Sequence, residues 1–249
     1  MKTTYLYKKE LNPHRTFDNF VVGISNSKAH AAAWAVAENP GSLNKLLIIC
    51  GDVGLGKTHL LHAIGNELLI RNPQANICYC PTHIFVDSMY AASRMNRIDE
   101  FHSFYRNLDL FLLDTVQFIA DKEAVQEELL FIIRELSNAG KQVVVGMNKP
   151  PQELSGLKRL CPCFSQGLLA TIAPPDDATR LALVKHFADR HNVNISKDMF
   201  QFLAARIDAQ CIRQLEGYII RLGAYAHFQN LPVTMDMTLE CLKSGLVPV

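Results

Sequence analysis

Long apolar stretches are missing from this 249-residue chain. The longest apolar runs, such as Leu46–Cys50, have the length of a strand, whereas a helix across a bilayer needs about 20 apolar residues in a row. Residues 1–20 are polar and charged and hold no signal-peptide core. An excess of charge is missing as well, with 25 Lys and Arg against 24 Asp and Glu. The whole-molecule field is therefore weak, and any nucleic-acid contact has to come from a local patch. The seven cysteines are an odd number in a mid-sized chain and do not look like a disulfide framework. Their two close pairs, Cys78 with Cys80 and Cys161 with Cys163, lack the two-residue gap of a zinc knuckle, so they read as buried or inert thiols. No internal repeat is visible. What remains is a soluble, cytoplasmic globular protein, 49% hydrophobic and 20% charged, with room for one domain or two unequal ones.

Four strand-like runs punctuate the first part of the chain: 46–50, 76–80, 108–113 and 142–146. They are near-continuously apolar, the pattern of a parallel sheet covered on both faces. Helical patterns lie between them. One covers 59–71 and is stopped by Asn72-Pro73; another, Glu123–Asn138, runs into Ala139-Gly140. This alternation predicts an α/β doubly wound sheet. After Pro174-Pro175 the strands stop. Asp176 and Asp177 offer N-caps, and helices are expected over 177–191, 198–207, 212–228 and 235–244. Residues 1–175 thus read as a nucleotide-binding sheet domain and 176–249 as a small all-helical domain.

The strongest chemical signal is Gly51-Asp52-Val53-Gly54-Leu55-Gly56-Lys57-Thr58, a P-loop that follows a strand and opens a helix at His59. Its glycines let backbone N–H groups turn inward and cradle phosphate oxygens at a helix N-terminus. Lys57 supplies a cation for the β- and γ-phosphates, and the Thr58 hydroxyl is a ligand for Mg²⁺. The pattern predicts ATP or ADP with Mg²⁺. A carboxylate near the metal is expected at the end of a neighbouring strand, and Asp114, closing Leu110–Asp114, fits. The next residue is Thr115, which cannot accept a proton from an attacking water as a carboxylate would. Hydrolysis is accordingly expected to be slow while binding survives. Asn148, at the end of the strand 142–146, has two readings, a water-holding amide beside the γ-phosphate or a turn residue. Arg213, on a helix of the second domain, reads first as a solvated arginine and second as a cation reaching the phosphates.

The run Thr16-Phe17-Asp18-Asn19-Phe20-Val21-Val22-Gly23 resembles the opening of the ATPase domain of the bacterial replication initiator DnaA family. The resemblance continues through Gly54 to Ala63, through Tyr105-Arg106-Asn107-Leu108-Asp109, Gln117-Phe118-Ile119-Ala120 and Lys149-Pro150-Pro151, and ends in Arg213-Gln214-Leu215-Glu216-Gly217. It implies an AAA+ module, a RecA-like parallel sheet with helices on both faces plus a helical lid. It also implies roles: Asn148 at sensor 1, Arg213 at sensor 2 against the γ-phosphate, Val22 beside the adenine, and a helical insertion over about 81–105 used in filament assembly.

Three departures from the family pattern stand out. Thr115 replaces a second acid, Cys163 takes the place of the arginine finger with Arg159 one turn away, and Ala124 replaces a basic single-stranded DNA contact, leaving Lys122 nearby. Arginine fingers contribute about 10³- to 10⁵-fold to phosphoryl transfer. The duplex-reading helix-turn-helix of the family has no counterpart before Val249. The expected function is ATP-dependent assembly in initiation of chromosomal replication, with a DnaA-type initiator or with itself, and with single-stranded or origin DNA as a weak partner. The alternatives are a stand-alone regulator of the initiator and a non-catalytic nucleotide-binding module.

Overall fold

Strands β1 (Leu46–Cys50), β3 (Leu110–Asp114) and β4 (Gln142–Met147) bury every one of their residues. Apolar side chains alternate to opposite faces of a strand, so runs such as Leu-Leu-Ile-Ile-Cys are stable only where both faces are covered. A computed structural model describes residues 10–42, 44–206 and 211–243. In it, β1, β3 and β4 join β2 (Ile77–Pro81) and β5 (Leu168–Thr171) in a parallel sheet of order β2-β3-β4-β1-β5. β2 was expected one residue earlier and β3 starts at Leu110, differences at strand ends only.

Helix α2 (Lys57–Arg71) runs directly from the P-loop and ends at Asn72, as the Asn-Pro signal predicts. Helix α5 (Glu123–Asn138) has its expected bounds, and Gly140 beyond it takes φ +73°, the left-handed turn that favours glycine. The expected insertion over 81–105 contains α3 (Thr82–Arg94) and α4 (Ile98–Arg106). Phe85, Phe101, Tyr105 and Phe111 hold these helices to the sheet through tilted and edge-on ring contacts, their centroids 4.9–6.3 Å apart. Cys78 and Cys80 are buried in the same core, and no metal-ligating cluster occurs among the described residues.

Two elements were not anticipated. Helix α1 (Ser27–Glu38) is alanine-rich, and its buried face is Ala29, Ala33, Val36 and Ala37, too small to write a strong apolar stripe into the sequence. β5 is a short edge strand with only Ala170 buried, so it lacks the apolar run that marks its neighbours.

The chain divides into two compact units. One holds 10–20, Lys28–Gly51 and Gly56–Ile172; the other holds Val21–Ser27, Asp52–Leu55 and 173–243. The division near 172 precedes the expected 175, and two short segments from the first half count with the second unit. That unit has its own core, built from Leu183, Val184, Phe187, Leu203, Leu215, Ile219 and Leu222 on α7 (Asp177–Arg190), α8 (Lys197–Arg206) and α9 (Ile212–Gln229), with α10 (Met235–Lys243) alongside. Asp176 caps α7 by accepting the Thr179 N–H at 2.8 Å. The expected helical residues Ile207 and Ser244 lie outside the described residues. No described helix is long and apolar enough to cross a membrane.

In the first unit an N-terminal strap is tied to α2. The Asn12 N–H donates to His62 Nδ1 (3.1 Å), and Asn66 Nδ2 donates to the carbonyls of Asn12 (2.8 Å) and Arg15 (2.9 Å). A His62 ring that accepts at Nδ1 is neutral. Burial, helped by Arg15 and His59, pushes its pKa down to about 4. The fold therefore favours the neutral ring, and its contribution is complete above the ordinary value of about 6.5 and is lost as pH falls toward 4. Unfolding midpoints of wild type and His62→Gln, compared at pH 7.5 and pH 5, are expected to converge at the lower pH; a gap independent of pH would contradict the neutral ring.

Candidate functional site

The site is laid out by the register of the sheet. Ile49 pairs with Gly146, Cys50 with Met147 and Leu113 with Val145, which brings the C-terminal ends of β1, β4 and β3 side by side. As the chain leaves β1, the Gly51 N–H donates to the Met147 carbonyl at 3.2 Å. A Cβ on Gly51 would lie 2.5 Å from the Ile172 carbonyl oxygen, so a side chain here has no space. Gly54 and Gly56 take φ of +84° and +103°, and Gly56 stands at the N-cap of α2 without any side-chain cap. A helix start without a side-chain cap is the kind of place where anions bind. Lys57 is buried, and its Nζ donates to the Gly51 carbonyl at 2.6 Å, which folds the ammonium over the loop.

The remaining loop residues contribute backbone. Leu55 is wholly buried, while Asp52 and Val53 are exposed. The His59 ring turns to the N-terminal segment, with Nε2 2.8 Å from the Thr16 carbonyl and its plane edge-on to Phe20. Val22 and Arg213 belong to the second unit, and both are exposed, Arg213 in the first turn of α9.

Asp114 closes β3 and is buried. Its Oδ2 accepts from the Thr58 hydroxyl at 2.7 Å and from the Tyr79 hydroxyl at 3.1 Å. Its Oδ1 is buried and has no hydrogen-bond partner among the described residues. Beside Oδ1 lies Gly146, where a Cβ would come within 3.0 Å of that oxygen and 3.2 Å of Leu61 Cδ1. A hydroxyl, a carboxylate with one open oxygen and a gap kept clear by glycine fit a small hard cation such as Mg²⁺. Asn148 Oδ1 is a second buried acceptor lacking a partner among the described residues. An orphaned buried acceptor is costly and asks for a ligand or water.

Three residues at this site were not singled out from the sequence. Tyr79 is one, and a hydroxyl-bearing ring inside an apolar strand was its available signal. Thr82 is the second; its Oγ1 donates to the Asp114 carbonyl at 2.7 Å. Gly146 is the third, hidden in a valine run. Cys163, on α6 (Cys161–Phe164), is half-buried, and burial pushes its thiol up. Arg159 pairs instead with Glu123 (3.3 Å) and Glu127 (3.6 Å). Lys122 stands at the N-cap of α5, and Ala124 follows in its first turn.

Strand, glycine loop, helix and a carboxylate on β3, with β4 lying between β3 and the loop's strand, define a P-loop module of the AAA+ type. The family model described as the bacterial DnaA ATPase domain matches residues 11–171. The chain is 43% identical over 98% of its length to the chromosomal replication initiator protein DnaA of Thermodesulfovibrio yellowstonii, covering 56% of that protein. Domain III of the Thermotoga maritima replication initiation protein DnaA superposes with a TM-score of 0.90 at 35% identity, covering 96% of this chain and 100% of that one. A replication initiator DnaA bound to AMPPCP and single-stranded DNA follows at a TM-score of 0.80 and 34% identity, over 89% of this chain and 69% of that chain. The chain belongs to the bacterial DnaA family. It spans about half the length of the curated relatives it matches.

Thr115 is the strained point of the site. Its φ of +63° is left-handed, a conformation that costs a β-branched residue about 1–2 kcal/mol. Its Oγ1 donates to the Asp114 carbonyl at 2.6 Å, an oxygen that Thr82 already satisfies. Thr115→Asn, whose side chain tolerates this backbone, is expected to stabilise the protein by about 1 kcal/mol, or about 2–4 °C in Tm for a chain of this size; an unchanged or lower Tm would argue against strain.

Proposed function

We propose that this chain binds ATP with Mg²⁺ on the loop Gly51–Gly56 and the helix start at Lys57 and Thr58. In this reading it acts in the cytoplasm in initiation of chromosomal replication, through ATP-dependent assembly with a DnaA-type initiator or with a second copy of itself. The observation that carries the reading is the Thr58–Asp114 pair with its open Oδ1, placed beside an uncapped helix start. Backbone N–H groups of the loop hold phosphate oxygens, and the Lys57 ammonium takes the β- and γ-phosphates. Thr58 and Asp114 hold Mg²⁺, which when bound neutralises charge on the phosphate oxygens. The residues near 176–249 serve as a lid whose Arg213 reads the γ-phosphate. Single-stranded DNA is the further partner, supported by the relative bound to AMPPCP and single-stranded DNA.

Turnover is slow in this reading. Thr115 offers no carboxylate to an attacking water, Asn148 offers an amide, and Cys163 offers no cation to a neighbour. The neutral Cys163 also favours a second reading, a nucleotide held without turnover as a structural element of an assembly. The two separate on hydrolysis.

Affinity for ATP and ADP and steady-state hydrolysis are measured for wild type, Lys57→Ala and Thr115→Asp. Lys57→Ala is expected to weaken ATP binding about 30-fold, the loss of roughly 2 kcal/mol of charge-assisted contact. Thr115→Asp is expected to raise turnover about tenfold or more by supplying a base. Brisk wild-type turnover abolished by Lys57→Ala would overturn the slow-turnover reading. A Thr115→Asp variant as inert as wild type would favour the structural nucleotide.

A further inference from the structure

The Asp114 carboxylate is held in a lopsided way. Both donors that reach it, Thr58 and Tyr79, converge on Oδ2, and Oδ1 is left buried with no described partner. A buried carboxylate with one lone oxygen would turn about its Cβ–Cγ bond to share its donors unless something fixed the plane. Thr58 cannot fix it alone, because a single hydrogen bond leaves the rotation free and because the same hydroxyl is needed as a metal ligand. The second donor comes from a ring with little freedom. Tyr79 is buried on β2, the strand beside β3, with Pro81 registered to Asp114. Its ring packs against the His62 ring with centroids 4.1 Å apart. His62 is in turn held by the Asn12 N–H of the N-terminal strap.

We propose that Tyr79 is a positioning residue of the cation site: its hydroxyl locks Oδ2 of Asp114 and so presents Oδ1, beside Gly146, to Mg²⁺ or to a water of its shell. This rests on the reading of the loop as an ATP·Mg²⁺ site. In this proposal Tyr79 acts through Asp114, the residue its hydroxyl reaches. Partners that orient a metal-holding carboxylate typically account for a 10- to 100-fold change in metal affinity. The arrangement also links the strap to the cation through an unbroken series, Asn12 to His62 to Tyr79 to Asp114, in which every member touches the next.

The test uses the full chain and a fluorescent ADP analogue, titrated with Mg²⁺ and, separately, in EDTA. Tyr79→Phe removes one oxygen and keeps the ring that packs on His62. The expected result is a Mg²⁺ half-saturation about tenfold higher than wild type, with affinity in EDTA and Tm close to wild type. An unchanged half-saturation overturns the proposal. So does an equal loss of affinity in Mg²⁺ and in EDTA, which marks Tyr79 as a support of the loop and not of the cation. Tyr79→Leu, which also loses the ring, is expected to lower Tm and to add no more than the same shift in half-saturation; a much larger shift would assign the effect to packing. If wild type itself binds the analogue no better with Mg²⁺ than in EDTA, the cation reading of the site fails and this inference fails with it, whereas an unchanged Tyr79→Phe beside a Mg²⁺-dependent wild type removes this inference alone.

Discussion

One oxygen of one buried carboxylate joins the parts of this site. Oδ2 of Asp114 receives a hydrogen bond from α2 through Thr58 and another from β2 through Tyr79, while Asp114 itself closes β3. The Asp114 carbonyl receives Thr82, the first residue of α3. Four elements therefore meet at one residue, and the helix that follows the P-loop is keyed to the strand that carries the acid. In a dry interior such bonds are strong when made and costly when missing, so the elements cannot drift apart individually. The parallel register does the coarse alignment, and the carboxylate does the fine alignment.

Much of this was legible from residue order. The loop Gly51–Thr58 announced both a turn of backbone and a helix start, because glycine is needed where φ is positive and because a phosphate site needs free N–H groups at a helix end. Gly54 and Gly56 have those angles. Asp114 was legible because an acid that ends an apolar run emerges where ligands gather in parallel sheets. Tyr79, Thr82 and Gly146 were not. Their roles depend on which strand lies next to which, and strand order is a property of long-range pairing that no local pattern encodes. Helix α1 and strand β5 escaped for another reason: their buried faces are small or short, so burial left little trace in the hydropathy.

The departures from the family pattern cluster on polar chemistry and spare the scaffold. Thr115 has a left-handed backbone that suits a β-branched residue poorly. Cys163 packs half-buried against the core of the sheet unit as a neutral thiol. Arg159 is occupied by two glutamates of α5. Lys57 is tied to the loop through the Gly51 carbonyl, and Thr58 is tied to Asp114.

The placement of β1 has a consequence for how the protein comes into being. β1 lies between β4 and β5, with Leu46 registered to Val143 and Leu47 to Leu168. Neither neighbour is close in sequence, and contacts of such long range form late because the loop entropy must be met first. On a ribosome delivering the chain from its N-terminus, the strand that launches the phosphate loop waits unpaired until β4 (Gln142–Met147) has emerged, and its second edge waits for β5 (Leu168–Thr171). Its apolar run, Leu-Leu-Ile-Ile-Cys, is during that interval a segment for a chaperone to shield. A nucleotide would then meet its cradle only after β3 and β4 have emerged, and shorter nascent fragments would carry the motif without the capacity to hold phosphate.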